Sequence, residues 1–346
     1  MRHRPGRRIV GCSVFVLMAA ALAAEGHAQV AGFTGTLVVT NKSAATATII
    51  DVASGRALAT LPTGQGPHEI ALSVDGSLAV VTDYGGGGGG GRTLTVIDVP
   101  GLRVARTIEL GEYTRPHGIV FLPGDSLVAV TSEASRHVVI VNVVAGAIRR
   151  AVPTQHPGSH MVGVTADGVH AWTGDMGSHT ISELNLRTGE YVRSITVPQQ
   201  PEAINVTPDG SEVWVGSNAE DKVSVVDPRT GVVQTVAEGM GWPYRVAFTP
   251  DVRTVLLPDL EGEVLRFVDR ASRREIGRIA FPGGGPQGIT ITPDGRYALE
   301  SMSRQSRIAV IDIAARSIAG YIPAGPAPDG VVYTTHVFAP ARAGGL

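Results

Sequence analysis

From residue 35 onward the chain writes one pattern seven times, and this repeat constrains the fold more than anything else in it. The clearest copy is 201–231: a strand Ile204-Asn-Val-Thr, an Asp209-Gly210 turn, a strand Glu212-Val-Trp-Val, a polar loop, a strand Val223-Ser-Val-Val and a Thr230-Gly231 turn. A fourth strand, Val232-Val-Gln-Thr-Val, completes the unit. Two anchors count the period. Third strands end at Asp51, Asp98, Asn142, Asn185, Asp227, Asp269 and Asp312, with spacings of 47, 44, 43, 42, 42 and 43. First strands open at Pro67, Pro116, Ser159, Pro201, Pro243, Pro286 and Pro328, with spacings of 49, 43, 42, 42, 43 and 42. Short alternating strands at this period are the length of a four-stranded blade, which predicts an all-β, seven-bladed β-propeller of four-stranded antiparallel blades.

The ends fit a circle. The first strand-like segment, Gly35-Thr-Leu-Val-Val-Thr, reads as a second strand with no first strand before it, and Gly330-Val-Val-Tyr-Thr near the other end supplies one. Pairing the two inside one blade would close the ring and leave no open edge. The expected domain is a single propeller over 29–334, with 335–346 as a loose C-terminal tail.

Turn chemistry agrees with the count. Asp75-Gly76, Asp167-Gly168, Asp209-Gly210 and Asp294-Gly295 offer the positive-φ positions of tight hairpins. The acids that end third strands precede Ser/Thr-Gly segments and read as turn caps without chemistry of their own. One insertion departs from the pattern: seven glycines, Gly85 to Gly91, between a second and a third strand. Lacking the Lys-Ser/Thr of a phosphate loop, this run reads as a floppy surface loop.

The first 28 residues differ in kind. Arg2, Arg4, Arg7 and Arg8 precede an apolar run from Ile9 to Ala24, and Gly26-His27-Ala28 gives small residues around a cleavage point before Gln29. This predicts a secretory signal peptide over 1–28 and a periplasmic or secreted protein. The run is too short for a membrane anchor. Arg7-Arg8 lacks the Phe-Leu-Lys that would mark twin-arginine export. The leader carries four Arg and one Glu, so the remainder has 25 basic against 30 acidic residues. Nothing in that balance draws nucleic acid. The only cysteine, Cys12, lies in the leader, so disulfides, a thiol nucleophile and c-type haem attachment are not expected afterwards.

The 201–231 pattern, Pro-x-x-Ile-x-Val-Thr-Pro-Asp-Gly followed by Val-Trp-Val-Gly-Ser-Asn and Val-Ser-Val-Val-Asp-Pro-Arg-Thr-Gly, resembles the YVTN-type β-propeller repeat. Leu37-Val-Val-Thr-Asn41 is the closest copy of the Tyr-Val-Thr-Asn strand end, and the resemblance covers nearly all of 35–334. It implies a propeller. Proteins of this kind include surface-layer and secreted binding proteins, while the wider lactonase-like superfamily includes lactonases and haem d1-binding domains. Pro116-His-Gly-Ile119 is also similar to streptogramin-lyase-like propellers, although their Trp-Phe-Thr-Glu strand is replaced here by Ala171-Trp-Thr-Gly and Val213-Trp-Val-Gly.

In a propeller the first strands line the central channel. The residues just after the anchors should therefore ring its mouth: His68, His117, His160, Glu202, Tyr244, Gln287 and Asp329. Loops on that face add Asp83, Tyr84, Glu133, Asp175, His179 and Asp259. His68, His117, His160 and Glu202 suit Zn²⁺, Cu²⁺ or another divalent transition metal; a water-filled polar mouth is the plain alternative. Three functions stay open. The first is a binding protein or scaffold for a small molecule or protein partner at the mouth, monomeric and without a membrane anchor. The second is a metal-assisted lactonase, hydrolase or lyase working through His68, His117, His160 and Glu202. The third is an accessory propeller beside a redox enzyme. No Gly-x-Ser-x-Gly elbow supports a serine hydrolase.

Overall fold

Each turn of the repeat closes through its own side chains. In the hairpins joining first to second strands, Asp75, Asp167, Asp209, Asp251 and Asp294 each accept the N–H two residues on and a hydroxyl two residues back. All seven third-strand acids or amides accept backbone N–H groups two or three residues later, from Asp51 with Ser54 to Asp312 with Ala315. They are turn caps, as their spacing implies.

The computed structural model describes residues 30–87 and 89–338; residues 1–29, with the expected signal peptide, residue 88 and residues 339–346 lie outside them. The strands form seven four-stranded antiparallel sheets. Blade 1 joins the two ends of the chain, with β1 (Thr36–Asn41), β2 (Thr46–Asp51) and β3 (Arg56–Pro62) following β28 (Pro328–Thr334) in spatial order. Val38 lies opposite Val332 and Leu37 opposite Tyr333, so the ring closes through a ladder of hydrogen bonds. Blade 2 holds β4 (Pro67–Leu72), β5 (Leu78–Gly86), β6 (Gly89–Asp98) and β7 (Arg103–Glu109). Blade 3 holds β8 (Pro116–Phe121), β9 (Leu127–Ser132), β10 (His137–Asn142) and β11 (Ala147–Pro153). Blade 4 has β12 (Ser159–Val164), β13 (His170–Asp175), β14 (Thr180–Asn185) and β15 (Glu190–Thr196). Blade 5 has β16 (Pro201–Val206), β17 (Val213–Ser217), β18 (Lys222–Val226) and β19 (Val233–Glu238). Blade 6 has β20 (Ala247–Phe248), β21 (Thr254–Asp259), β22 (Val264–Asp269) and β23 (Arg274–Ala280). Blade 7 has β24 (Pro286–Ile291), β25 (Tyr297–Met302), β26 (Arg307–Asp312) and β27 (Ser317–Pro323). Among the described residues the only helix is the 3-10 turn Asn218–Glu220, and no helix is long and apolar enough to cross a membrane.

The core lies between blades rather than within them. Blades 2 and 3 share Val80, Leu94 and Val96 with Val128, Val130 and Val139. Trp172 fills the gap between blades 4 and 5, and Trp214 that between blades 5 and 6.

Two expectations are corrected here. The glycine run is not a floppy loop: β5 and β6 extend into it as a hairpin, with Gly85 opposite Gly90 and Gly86 opposite Gly89. A ladder needs only backbone groups, and Gly85 N–H also donates to Gln65 O at 2.8 Å, anchoring the base of the hairpin. The start of the tail is not loose either. Thr36 Oγ1 donates to His336 O at 2.8 Å, and Phe338 packs against the core between blades 1 and 2.

Candidate functional site

The ring at the channel mouth is built by bulges. In β4 the register jumps between Pro67, opposite Asp83, and Ile70, opposite Val81. A jump also occurs in β8, β12, β16, β24 and β28 at the residues that follow their anchors. A bulge re-aims side chains and frees backbone groups from the ladder. Second-strand hydroxyls take up those groups: Glu69 N–H donates to Thr82 Oγ1 at 3.0 Å, and Gly118 N–H to Thr131 Oγ1 at 2.8 Å. Hydroxyls also pin the ring residue of the next blade. Thr40 donates to His68 O at 2.9 Å, Thr131 to His160 O at 2.5 Å, and Ser301 to Asp329 O at 2.6 Å. Small residues let neighbouring first strands approach, since a Cβ on Gly118 would lie 2.7 Å from Met161 Cα.

The ring assembles as the repeat predicts. His68, His117, His160, Glu202, Tyr244 and Asp329 are buried, and Gln287 is half-buried beside them. The imidazoles meet ring to ring: His68 stands edge-on to His117 with centroids 4.9 Å apart, and His117 lies tilted over His160 at 3.8 Å. Tyr84 stacks on His68 at 4.5 Å and stands edge-on to His117 at 5.2 Å.

His160 is clamped between carboxylates, with Nδ1 3.1 Å from Glu133 Oε2 and Nε2 3.8 Å from Glu202 Oε1. Burial lowers its pKa, but Glu133 and Glu202 outweigh this and hold it at about 9, so it is an imidazolium at neutral pH. Its neighbours go the other way. Burial takes His68 down to about 4, and burial followed by the charge of His160 holds His117 well below its ordinary value. The neutral His68 donates Nδ1–H to Gly66 O at 2.9 Å, which leaves Nε2 with its lone pair. His117 Nδ1 is buried without a partner. Across the ring, Tyr244 O–H donates to Asp329 at 3.1 Å, and Lys42 Nζ reaches Asp329 Oδ2 at 3.4 Å. Tyr84 O–H donates to Glu133 at 3.1 Å and accepts from Arg115 at 2.9 Å, and Asn218 donates to Glu202.

Asp175 and His179 do not join the ring. Asp175 is fully buried and turned into its own blade, accepting from Ser182 at 2.6 Å and Thr180 at 3.1 Å; burial pushes its pKa up to about 7. His179, in the β13–β14 loop, accepts a backbone N–H from Gln200 at 3.3 Å. Asp83 and Asp259 are likewise turned inward, onto Thr93 and Thr95 and onto Gly241, Trp242 and Gly262. Tyr84 and Glu133 do reach the ring. The four expected metal ligands come close without converging, because His117 lies over His160 and both nitrogens of His160 face carboxylates. Among the described residues no group of three or more His, Cys, Asp or Glu side chains is arranged to hold a metal ion.

A second layer escaped the sequence reading. One position beyond the ring, the first strands carry Glu69, Gly118, Met161, Ala203, Arg245, Gly288 and Gly330. Arg245 and Glu69 are buried and paired across the channel, and the Arg245 guanidinium lies 4.0 Å from the Tyr244 ring centroid. Two opposite charges among small and apolar equivalents were the available signal. Glu300 is buried at the blade 6–7 boundary with neither carboxyl oxygen partnered, and burial holds its pKa well above the ordinary carboxyl value.

Residues 173–260 match the family described as YNCE-like beta-propeller. The chain is a seven-bladed β-propeller. Over those residues it is similar to a YVTN-type propeller family. Solved structures agree on the propeller fold. Hydrazine synthase from Kuenenia stuttgartiensis is 18% identical with a TM-score of 0.69, over 81% of this chain and 93% of that one. A functionally unknown protein from Desulfotomaculum acetoxidans DSM 771 is 13% identical with a TM-score of 0.71, over 87% and 99%. Among curated proteins none matches. At these identities the likeness carries the architecture and no activity.

Proposed function

We propose that this propeller is an exported binding protein whose histidine-lined channel mouth takes a small, neutral, polar ligand rich in O–H or N–H donors. The observation that carries this reading is the pair of neutral imidazoles with unused ring nitrogens, His68 Nε2 and His117 Nδ1, set in an otherwise satisfied ring. Charge favours a neutral ligand: Lys42, Arg115 and His160 face Glu133, Glu202 and Asp329, three cations against three carboxylates.

Acid–base catalysis fits less well. An imidazole at about 4 is a weak base at neutral pH, and one at about 9 a weak acid. The lactonase or lyase alternative would need both retuned by substrate. A divalent transition metal would have His68 and His117 as its free imidazoles, with the His68–Gly66 hydrogen bond orienting the first.

The test uses protein purified untagged without chelator, beside a His68→Ala/His117→Ala variant. Both are measured for bound metal and by thermal shift against sugars, polyols and amides. A neutral polar compound that stabilises the wild type and not the folded variant supports the reading. Stoichiometric metal lost in the variant replaces the ligand by an ion. A panel that shifts both proteins equally, with neither holding metal, overturns both readings.

A further inference from the structure

Packing accounts for two of the three tryptophans. Trp172 and Trp214 are 1% and 0% exposed, in the cores between blades. Trp242 keeps 36% of its surface exposed, and among the described residues no aromatic ring or cation lies against it. It is nonetheless held in place. Its backbone N–H donates to the buried Asp259 Oδ1 at 2.8 Å, its carbonyl accepts from Leu260 at 2.9 Å, and its indole N–H is directed to the Glu202 carboxylate of the ring. The repeat gives the same placement. Trp242 stands one residue before the anchor Pro243, as Arg115 does before Pro116, and Arg115 reaches Tyr84 and Glu133 at the mouth. In the other blades this position is held by Gly66, Arg115, Gly158, Gln200, Gly285 and Ala327, all at positive φ. Trp242 alone leaves that conformation. Blade 6 has given up the common turn and set an indole at the rim.

We infer that Trp242 is the platform on which the ligand of the channel mouth stacks, and that this ligand is a neutral cyclic sugar. The inference rests on the binding role proposed above and names its ligand. Two chemistries meet at the rim. An exposed indole face is matched by a flat apolar surface. Beside it, Lys42, Arg115, Glu133 and Asn218 are each in contact with ring residues and only partly buried, so donors and acceptors are both within reach. A pyranose supplies both matches. Its C–H groups form an apolar face, and each hydroxyl at its edge can donate one hydrogen bond and accept others. A planar base or an amide has a flat face but fewer donors for the carboxylates and imidazoles. A linear polyol has the donors and no face. An ionic ligand would unbalance a mouth where three cations already meet three carboxylates.

Tryptophan fluorescence reads this contact directly, because Trp242 is the exposed one of the three. The full chain is titrated with neutral hexoses, pentoses, N-acetylhexosamines and their disaccharides, and with the alditols made by reducing the monosaccharides. An alditol keeps the hydroxyls and loses the ring. Affinities are measured calorimetrically for wild type, Trp242→Ala and Trp242→Phe. The expected result is a sugar that changes the emission saturably, shields Trp242 from acrylamide and binds about tenfold or more tightly than its alditol. Its affinity should fall about tenfold in Trp242→Ala and be largely kept in Trp242→Phe, where an aromatic face remains. Sugar and alditol binding alike, with Trp242→Ala unaffected, would overturn the sugar inference and leave the binding role of the ring standing. Binding of amides alone has the same meaning. No binding of any sugar also overturns it, and the thermal-shift panel then decides the ring separately. If Trp242→Ala does not fold, shielding in the wild type decides: a bound sugar that leaves Trp242 fully quenchable overturns the inference.

Discussion

The clamp on His160 makes a quantitative prediction about stability and pH. Its folded pKa of about 9 lies above the unfolded value of 6.5, so the folded protein holds this proton more tightly. The stabilisation is therefore fully present below pH 6.5 and is lost as pH rises through about 9. The difference between those values corresponds to about 3 kcal/mol, a substantial part of the stability of an ordinary domain. Other groups act in other windows. His68, lowered to about 4, adds stability as pH rises from 4 to 6.5, because there the unfolded chain binds the extra proton. Asp175, raised to about 7 from 3.8, removes stability between those two values. Glu69 and Glu300 are also raised by burial, so the contribution of His160 is isolated as the difference between wild type and a His160 variant.

The assay is urea unfolding from pH 6 to 10 on wild type and on His160→Gln, with the difference between the two free energies plotted against pH. The expected difference shrinks by about 3 kcal/mol between pH 6.5 and 9 and levels off above that range. In Glu202→Gln, which removes one of the two carboxylates, the break should move toward neutrality. A difference independent of pH, or a His160 proton signal that titrates near 6.5, would refute the reasoning.

Two further outcomes follow from packing. Glu300→Val should stabilise the protein by about 1–3 kcal/mol, seen as a higher urea midpoint, because it removes a buried unpartnered carboxyl where β1, β5, β9 and β17 carry Val39, Val81, Val130 and Val215. Gly91→Ala should lower stability by about 1–3 kcal/mol in the same measurement, because a methyl there would run into the Asp83 carbonyl at the base of the glycine hairpin.

The blades were legible in the sequence because their punctuation is local. Asp75 and Asp51 cap turns with groups a few residues away, and such pairings repeat at the period of the chain. The ring was legible for a related reason: the residue after each anchor sits on a bulge in six of the first strands, so its position repeats even where its chemistry does not. Asp175 was misplaced by one step of strand alternation. It ends its second strand as Asp83 and Ser132 end theirs, and that position turns into the blade, whereas the next residue, Tyr84 or Glu133, reaches the channel. The glycine run was misread because side-chain composition says little about a pairing made by backbone alone. Arg245, Glu69 and Glu300 were out of reach for another reason: the first two are 176 residues apart, and only closure of the ring brings them together.

A seven-fold repeat supplies seven equivalent positions, so a scaffold role alone would be served by the same residue in each. The departures are therefore where specific chemistry is to be sought, and blade 6 holds two of them, Tyr244 and Arg245. Blade 6 has a first strand of only two residues, preceded by a single bridge from Pro243 to Asp259. The stretch between them carries Tyr244 to Asp329 in the ring and Arg245 to Glu69 in the layer beneath. Leaving the ladder places a phenol and a guanidinium in consecutive layers of the channel, which strict strand alternation would have sent to opposite faces. The same irregular segment thus shapes both the histidine-lined mouth and the channel layer behind it. A change that displaces Arg245 should be felt at Tyr244 and Asp329 in the ring, through the guanidinium's hydrogen bond to Tyr244 O and its packing on the Tyr244 ring.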